Sequence, residues 1–207
     1  MGGTGGLGVE IVKKFQAGGW NTTSLGTNDL DLLDREAIKR YFQDKRCDLL
    51  ICAAGIIRDS PLISLSEKSW DETLQVNFTG IAAGALAMLK IMAVHGSGHV
   101  IFVSSYAALH PTIGQSAYAT AKACLLGLTK ELAQQFGKNG LRVNAVLPGF
   151  LETAMTSGVT ERRKSEILEA HTLSKFNTPR NVADFLWFLE EDLPFTSGQI
   201  FSLDSRI

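Results

Sequence analysis

Apolar runs of strand length alternate with segments of helix length along this chain, and that alternation limits the folds open to it more than any other feature. Asp48–Ala54, His99–Ser104 and Leu141–Leu147 each read as a strand buried on both faces. Asn21–Leu25 and Gln199–Leu203 are weaker strand candidates. Between them lie helix-length segments at 7–17, 34–44, 66–94, 117–136, 161–170 and 181–190. Ser66, followed by Ser69, Trp70 and Asp71, gives the third of these a polar start suited to a helix N-terminus. Such alternation predicts an α/β fold, a doubly wound parallel sheet of Rossmann type with helices on both faces. A length of 207 residues suits one domain spanning 1–207, and no repeat, low-complexity tract or linker divides it.

Glycine is over-represented, with 20 residues against an average near 7%. Several stand where an apolar run ends and a helix begins. The most concentrated group is Gly2-Gly3-Thr4-Gly5-Gly6-Leu7-Gly8, which opens a helix near Leu7. Glycines permit a tight turn and close approach to a pyrophosphate, and a helix N-terminus favours an anion. Such a loop could equally be a flexible tail. The central strand that should precede it in a doubly wound sheet is missing from the sequence, which begins at Met1. Either the true start lies upstream, or the sheet tolerates a gap that leaves two strand edges unpaired.

Tyr118 and Lys122 stand four residues apart on an expected helix and therefore share a face. An ammonium beside a phenol favours the phenolate and should lower the tyrosine pKa, making it a usable acid or base near neutral pH. Ser104-Ser105 closes the strand 99–104, which should bring a hydroxyl out at the sheet's carboxyl edge, where ligands bind in such folds. Asn77 is a polar residue within an otherwise apolar helical stretch: a surface residue, or one held for a hydrogen bond.

Gly2-x-x-x-Gly6-x-Gly8, Ala53-Ala54-Gly55, Val76-Asn77, Val103-Ser104-Ser105, Tyr118-x-x-x-Lys122 and Pro148-Gly149-Phe150-Leu151-Glu152-Thr153 follow in order. Together they resemble the short-chain dehydrogenase/reductase family, and within it the 3-oxoacyl-[acyl-carrier-protein] reductases. The similarity runs to Ser197–Asp204. The resemblance implies NAD(P)-dependent hydride transfer to a ketone, most simply a 3-oxoacyl thioester. It implies that Tyr118 exchanges the proton, Ser105 holds the substrate oxygen, and Lys122 binds the nicotinamide ribose and depresses the Tyr118 pKa. Asn77 would anchor a water linking Lys122 to solvent. Gly2, Thr4, Gly6, Leu7, Gly8, Ala53, Ala54 and Gly55 would hold the dinucleotide. Pro148, Gly149, Leu151 and Thr153 would meet its nicotinamide side, and Asp31 and Leu32 its adenine. A homodimer or homotetramer, an acyl carrier protein as partner, and a place in cytoplasmic fatty acid synthesis are implied in the same way.

Cys52-Ala53 stands where relatives carry two asparagines, and Gly26, Thr27 and Asn28 offer neither an acid for NAD nor a base for NADP. The resemblance leans slightly to NADP. Two other readings stay open: a Rossmann-like binding protein without turnover, and a sugar-nucleotide epimerase, which the short chain after the last strand disfavours. Arg162-Arg163-Lys164 reads as a solvated helix face or a contact for a carrier phosphate. A net charge of −1 gives no general attraction to nucleic acid or membrane. No uninterrupted apolar run nears the ~20 residues of a membrane span, and the first residues lack a secretory pattern. The three cysteines form no CxxC pair and the four histidines show no ligand spacing, so neither disulfide nor metal site is expected, and a reducing cytoplasm is.

Overall fold

The structure, a computed structural model, describes residues 1–206. Four strands form one parallel sheet in the order β1-β2-β3-β4: Leu49–Cys52, Gly98–Val103, Leu141–Leu147 and Ile200–Ser202. Their register aligns Cys52 with Phe102, Phe102 with Ala145, and Ala145 with Ile200. All four carboxyl ends therefore open on the same edge of the sheet, the edge at which ligands bind in such folds.

Alternate residues of the strands feed two cores. Val100, Phe102, Val143 and Ala145 pack with Ile38, Phe42, Ile81, Met88 and Leu125 on one face. These side chains come from α2 (Arg35–Phe42), α4 (Gly80–His95) and α5 (Ser116–Gly137). Ile101, Val103 and Val146 pack on the other face with Ile11, Phe15, Val182 and Leu186. These belong to α1 (Gly6–Ala17) and α7 (Pro179–Glu191). Local chemistry sets the helix starts. Asp34 accepts from Ala37 N, Ser66 from Ser69 N, and Thr178 with Asn181 forms a capping box ahead of Pro179.

The helical stretch expected over 66–94 is present at 67–95 but is not uniform. α3 (Glu67–Leu74) and α4 are joined by a π-helical turn, Gln75–Thr79. Such turns mark functional positions in helices, and this one contains Asn77. By length and composition this helix could cross a membrane. Here Ile81, Ala85, Met88 and Leu89 are buried in the core beneath the sheet.

The expected strand at 21–25 does not form. A single stub lies beside it: Gly2 N and Gly3 N both donate to Leu25 O. On its other side, Met1 N donates to Ile51 O at 2.8 Å, and Ala53 N donates to Met1 O at 2.9 Å. Residues 1–3 thus occupy the carboxyl end of the position expected for the central strand. Below them runs a cavity of about 400 Å³, walled by Thr22, Thr23, Leu25, Leu49, Leu50, Ile51 and Phe15. The segment 21–25 has no neighbour of strand length to pair with, so it remains extended without a ladder.

Candidate active site

The carboxyl ends of the strands, the glycine loop and the N-terminus of α5 surround a cavity of about 730 Å³. Gly2, Gly6, Leu7, Gly8, Ala53, Ala54 and Gly55 line it, together with Ser105, Tyr118, Lys122, Pro148, Gly149, Leu151 and Thr153. The volume lies in the range of small-molecule and cofactor sites.

The glycine loop is built for close approach. Gly2 sits at φ +81°, and a β-carbon there would lie 2.4 Å from Ala54 N. One on Gly8 would lie 2.1 Å from Gly2 O, and one on Gly6 would lie 3.0 Å from Thr153 Cβ. The loop therefore lies flat on the β1 exit, and α1 starts there, with Gly6, Leu7 and Gly8 of its first turn lining the cavity. These residues fit a dinucleotide pyrophosphate.

Lys122 is 3% exposed. Its Nζ donates to Val103 O at 3.0 Å and to Ala54 O at 3.5 Å. Ser104 Oγ donates to Lys122 O at 2.8 Å, tying α5 to the tip of β2. Burial pushes the Lys122 ammonium down to about 8. Its Nζ lies 5.8 Å from the Tyr118 ring centre. The expected lowering of the Tyr118 pKa is not found: burial raises it, the Ser105 hydroxyl pulls it back, and the negative charge of Asp59 raises it further. The reason is geometric. The ammonium points at the Val103 and Ala54 carbonyls, and burial of the phenol outweighs the help of the Ser105 hydroxyl.

Asn77 is fully buried. Its Oδ1 accepts from Ile56 N at 3.2 Å, and its Nδ2 donates to Ile56 O and Thr73 O, both at 2.9 Å. The side chain fastens the Gly55–Ile56 loop to the π-helical turn. Three other expectations also shift. Leu32 is buried in the core and Asp31 accepts from its own neighbour Leu33 N, so neither lines the cavity. Thr4 packs on Gly26, away from the cavity. Asp34 caps the short α2 that follows this segment.

The cleft contains residues that the sequence pattern did not single out: Asp59, Tyr106, His110, Thr112, Gln115 and Arg206. Arg206 lies 3.4 Å from the Tyr106 ring centre and pairs with Asp204, and Tyr106 stacks on His110 at 4.4 Å. Gln115, three residues before Tyr118 and just before α5, was the legible signal among these. Among the described residues no cluster suited to a metal ion occurs.

A family model described as enoyl-(acyl carrier protein) reductase matches residues 26–205. A 3-oxoacyl-[acyl-carrier-protein] reductase of Thermotoga maritima is 33% identical over 184 residues, covering 86% of this chain and 75% of the relative. A (3R)-3-hydroxyacyl-CoA dehydrogenase of Rattus norvegicus is 36% identical over 176 residues, covering 81% and 68%. Two solved structures share the fold. An oxidoreductase of the short chain dehydrogenase/reductase family from Burkholderia thailandensis superposes with a TM-score of 0.88 at 26% identity, covering 99% of this chain and 89% of its own. A structure titled as a putative NAD(P)-dependent gluconate 5-dehydrogenase from Beutenbergia cavernae, with bound NADP, gives 0.84 at 28% identity, covering 96% and 82%. Parallel sheet, glycine loop and Ser–Tyr–Lys cleft define a nucleotide-dependent oxidoreductase. The chain belongs to the short-chain dehydrogenase/reductase family, whose members use NAD(P).

Proposed function

We propose that this protein reduces the ketone of a 3-oxoacyl thioester, with NADPH as its preferred cofactor. The observation that carries the reading is the convergence of Ser105, Tyr118 and Lys122 on the cavity that the glycine loop also lines. When bound, the nicotinamide supplies the hydride. Ser105 at the tip of β2 holds the substrate oxygen, and the Tyr118 O–H gives it the proton. Lys122 holds the ribose, and Asn77 fixes the loop that carries Gly55 against that ammonium. Gly2, Gly6, Leu7, Gly8, Ala53 and Ala54 hold the pyrophosphate side. Pro148, Gly149, Leu151 and Thr153 face the nicotinamide side. Thr4, Asp31 and Leu32 carry no role in this reading.

The names of the bacterial and rat relatives favour a 3-oxoacyl or 3-hydroxyacyl thioester as substrate. Apolar Ile57, Ile113, Met155 and Val159 on the cleft suit an acyl chain. We further infer one catalytic domain over 1–207, a homo-oligomer, a carrier-bound or CoA-bound substrate, and work in the cytoplasm.

The test is cofactor oxidation, followed at 340 nm, with acetoacetyl-CoA and with crotonyl-CoA, using NADPH and NADH in turn. Turnover of acetoacetyl-CoA with NADPH is expected. Turnover of crotonyl-CoA alone would replace ketone reduction by enoyl reduction. Dinucleotide binding without turnover of either would replace the enzyme by a binding protein.

A further inference from the structure

Arg206 lines the cleft on a segment that follows β4. Its backbone forms an antiparallel bridge with His171, just after α6 (Glu161–Glu169). Thr172 N and Oγ1 both donate to Ser205 O, at 3.1 and 2.9 Å. The segment that carries Arg206 is thus fastened by its backbone. Arg206 Nε and Nη2 donate to Asp204 Oδ2 at 2.8 and 2.5 Å. The Asp204 side chain is 1% exposed and that of Arg206 11%. Asp204 in turn packs against Gly149, where a β-carbon would lie 2.5 Å from Asp204 Cβ. The guanidinium carbon lies 3.4 Å from the Tyr106 ring centre. Tyr106 follows Ser105 directly, and Ser105 Oγ accepts from Ala107 N at 3.2 Å, so the ring belongs to the tight turn that Ser105 caps. The guanidinium therefore rests on the residue next to the hydroxyl assigned to the ketone oxygen.

Asp204 takes two of the guanidinium N–H donors, and Nη1 meets no acceptor among the described residues. In an open cleft water supplies that acceptor. A substrate that displaces the water must supply one in its place, because an unpaired buried donor costs free energy. The chemistry of the acceptor follows from the pairing. Asp204 cancels the guanidinium charge at close range, so the pair offers N–H donors with little net field. That combination suits a neutral carbonyl oxygen better than a phosphate or a carboxylate. The other cations on the cleft are differently placed. Lys122 is committed to the Val103 and Ala54 carbonyls, and Arg163 pairs with Glu166 at 3.0 Å.

We propose that Arg206 is a specificity-determining residue: its Nη1 edge donates to the thioester carbonyl oxygen of the substrate and selects 3-oxoacyl thioesters over plain ketones. This rests on the function proposed above. A 3-oxoacyl thioester carries its second carbonyl one methylene away from the ketone. With Ser105 and Tyr118 on the ketone oxygen, the donor stacked on Tyr106 is the neighbouring group for the second oxygen. Two oxygens held at once fix the carbon between the hydroxyl and the hydride donor. A ketone without the second oxygen leaves Nη1 unpaired and is discriminated against for that reason.

The test compares acetoacetyl-CoA with the 3-oxobutyl thioether of CoA. The thioether keeps the ketone, the chain length and the CoA, but has a methylene where the thioester carbonyl stands. Arg206→Met keeps an apolar stem on Tyr106 and removes the donors. Its kcat/KM should fall about tenfold or more with acetoacetyl-CoA and stay within about twofold of the wild type with the thioether. The different reactivities of the two ketones cancel when each is compared with its own wild-type value. An equal fall with both compounds is the mark of a residue that only holds the fold, and overturns the proposal. An unchanged rate with acetoacetyl-CoA overturns it as well. Should Arg206→Met fail to fold, Arg206→Lys carries the same readouts, since it keeps a cation for Asp204 and loses the planar fork. A wild type that turns over neither compound fails the function proposed above, and calorimetric affinity of the NADP⁺-loaded protein for the two compounds then tests Arg206 alone. A preference for acetoacetyl-CoA that Arg206→Met abolishes supports its role; equal affinity, or no binding, overturns it.

Discussion

The Lys122 ammonium donates to the Val103 carbonyl at 3.0 Å, joining the middle of α5 to the tip of β2 from inside the protein. No carboxylate pairs with it among the described residues. The fold therefore carries a buried cation whose cost is offset mainly by two carbonyl dipoles. Such a group is retained at the expense of stability when it serves a site.

Lys122→Met should separate the two roles. Removing a buried, unpaired charge while keeping the volume should leave thermal stability unchanged or higher. Ketone reduction should fall by at least roughly 100-fold. Calorimetric melting and steady-state kinetics on the same preparation check this pair of outcomes.

Asn77→Ala should act through stability and through the loop. It leaves the buried Thr73 carbonyl and the part-buried Ile56 N–H and carbonyl without this partner. Each such group costs about 1–3 kcal/mol. A fall in melting temperature of several degrees, together with weaker cofactor binding, is expected in calorimetry.

Gly8→Ala should remove cofactor binding while leaving the chain folded. The added β-carbon would collide with Gly2 O at 2.1 Å and force the loop off the β1 exit. Isothermal titration with NADPH should show affinity reduced by at least tenfold, and circular dichroism should be unchanged. Gly127→Ala meets nothing within 4 Å and serves as the control.

Stability should fall as pH drops below about 6.5, through His99. His99 is 1% exposed at the start of β2, with ring nitrogens 2.6 Å from Glu190 Oε2 and 3.0 Å from Asn144 Nδ2. Burial lowers its folded pKa beneath the ordinary histidine value. The unfolded chain therefore takes up the proton first. The stabilisation is fully present above the unfolded pKa and declines as acidification passes through it. Urea midpoints measured between pH 7.5 and 5 check the sign, and His99→Gln should flatten that part of the profile.

Much of this fold was legible because its strongest signals are local. The runs 99–104 and 141–147 became β2 and β3 within one residue at either end, since each is buried on both faces. The strand at 21–25 failed because a strand needs a neighbour, and only Met1–Gly3 lie beside it. The Ser105–Tyr118–Lys122 grouping was legible from spacing and strand ends. The direction of the Tyr118 shift was not, since it depends on where the ammonium points and on Asp59, a residue from another loop. Nor could spacing show that the Asn77 amide is consumed by Ile56. Asp31 and Leu32 were placed by resemblance; they do not line the cavity beside Tyr118, Leu32 being buried in the core.

The central claim is proton transfer by one phenol, and Tyr118→Phe tests it most directly. The ring stays, the O–H goes, and NADPH titration shows whether the cofactor still binds. With acetoacetyl-CoA the variant should bind NADPH as the wild type does and reduce the ketone about 100- to 10,000-fold more slowly. Equal rates in the two proteins would contradict the account.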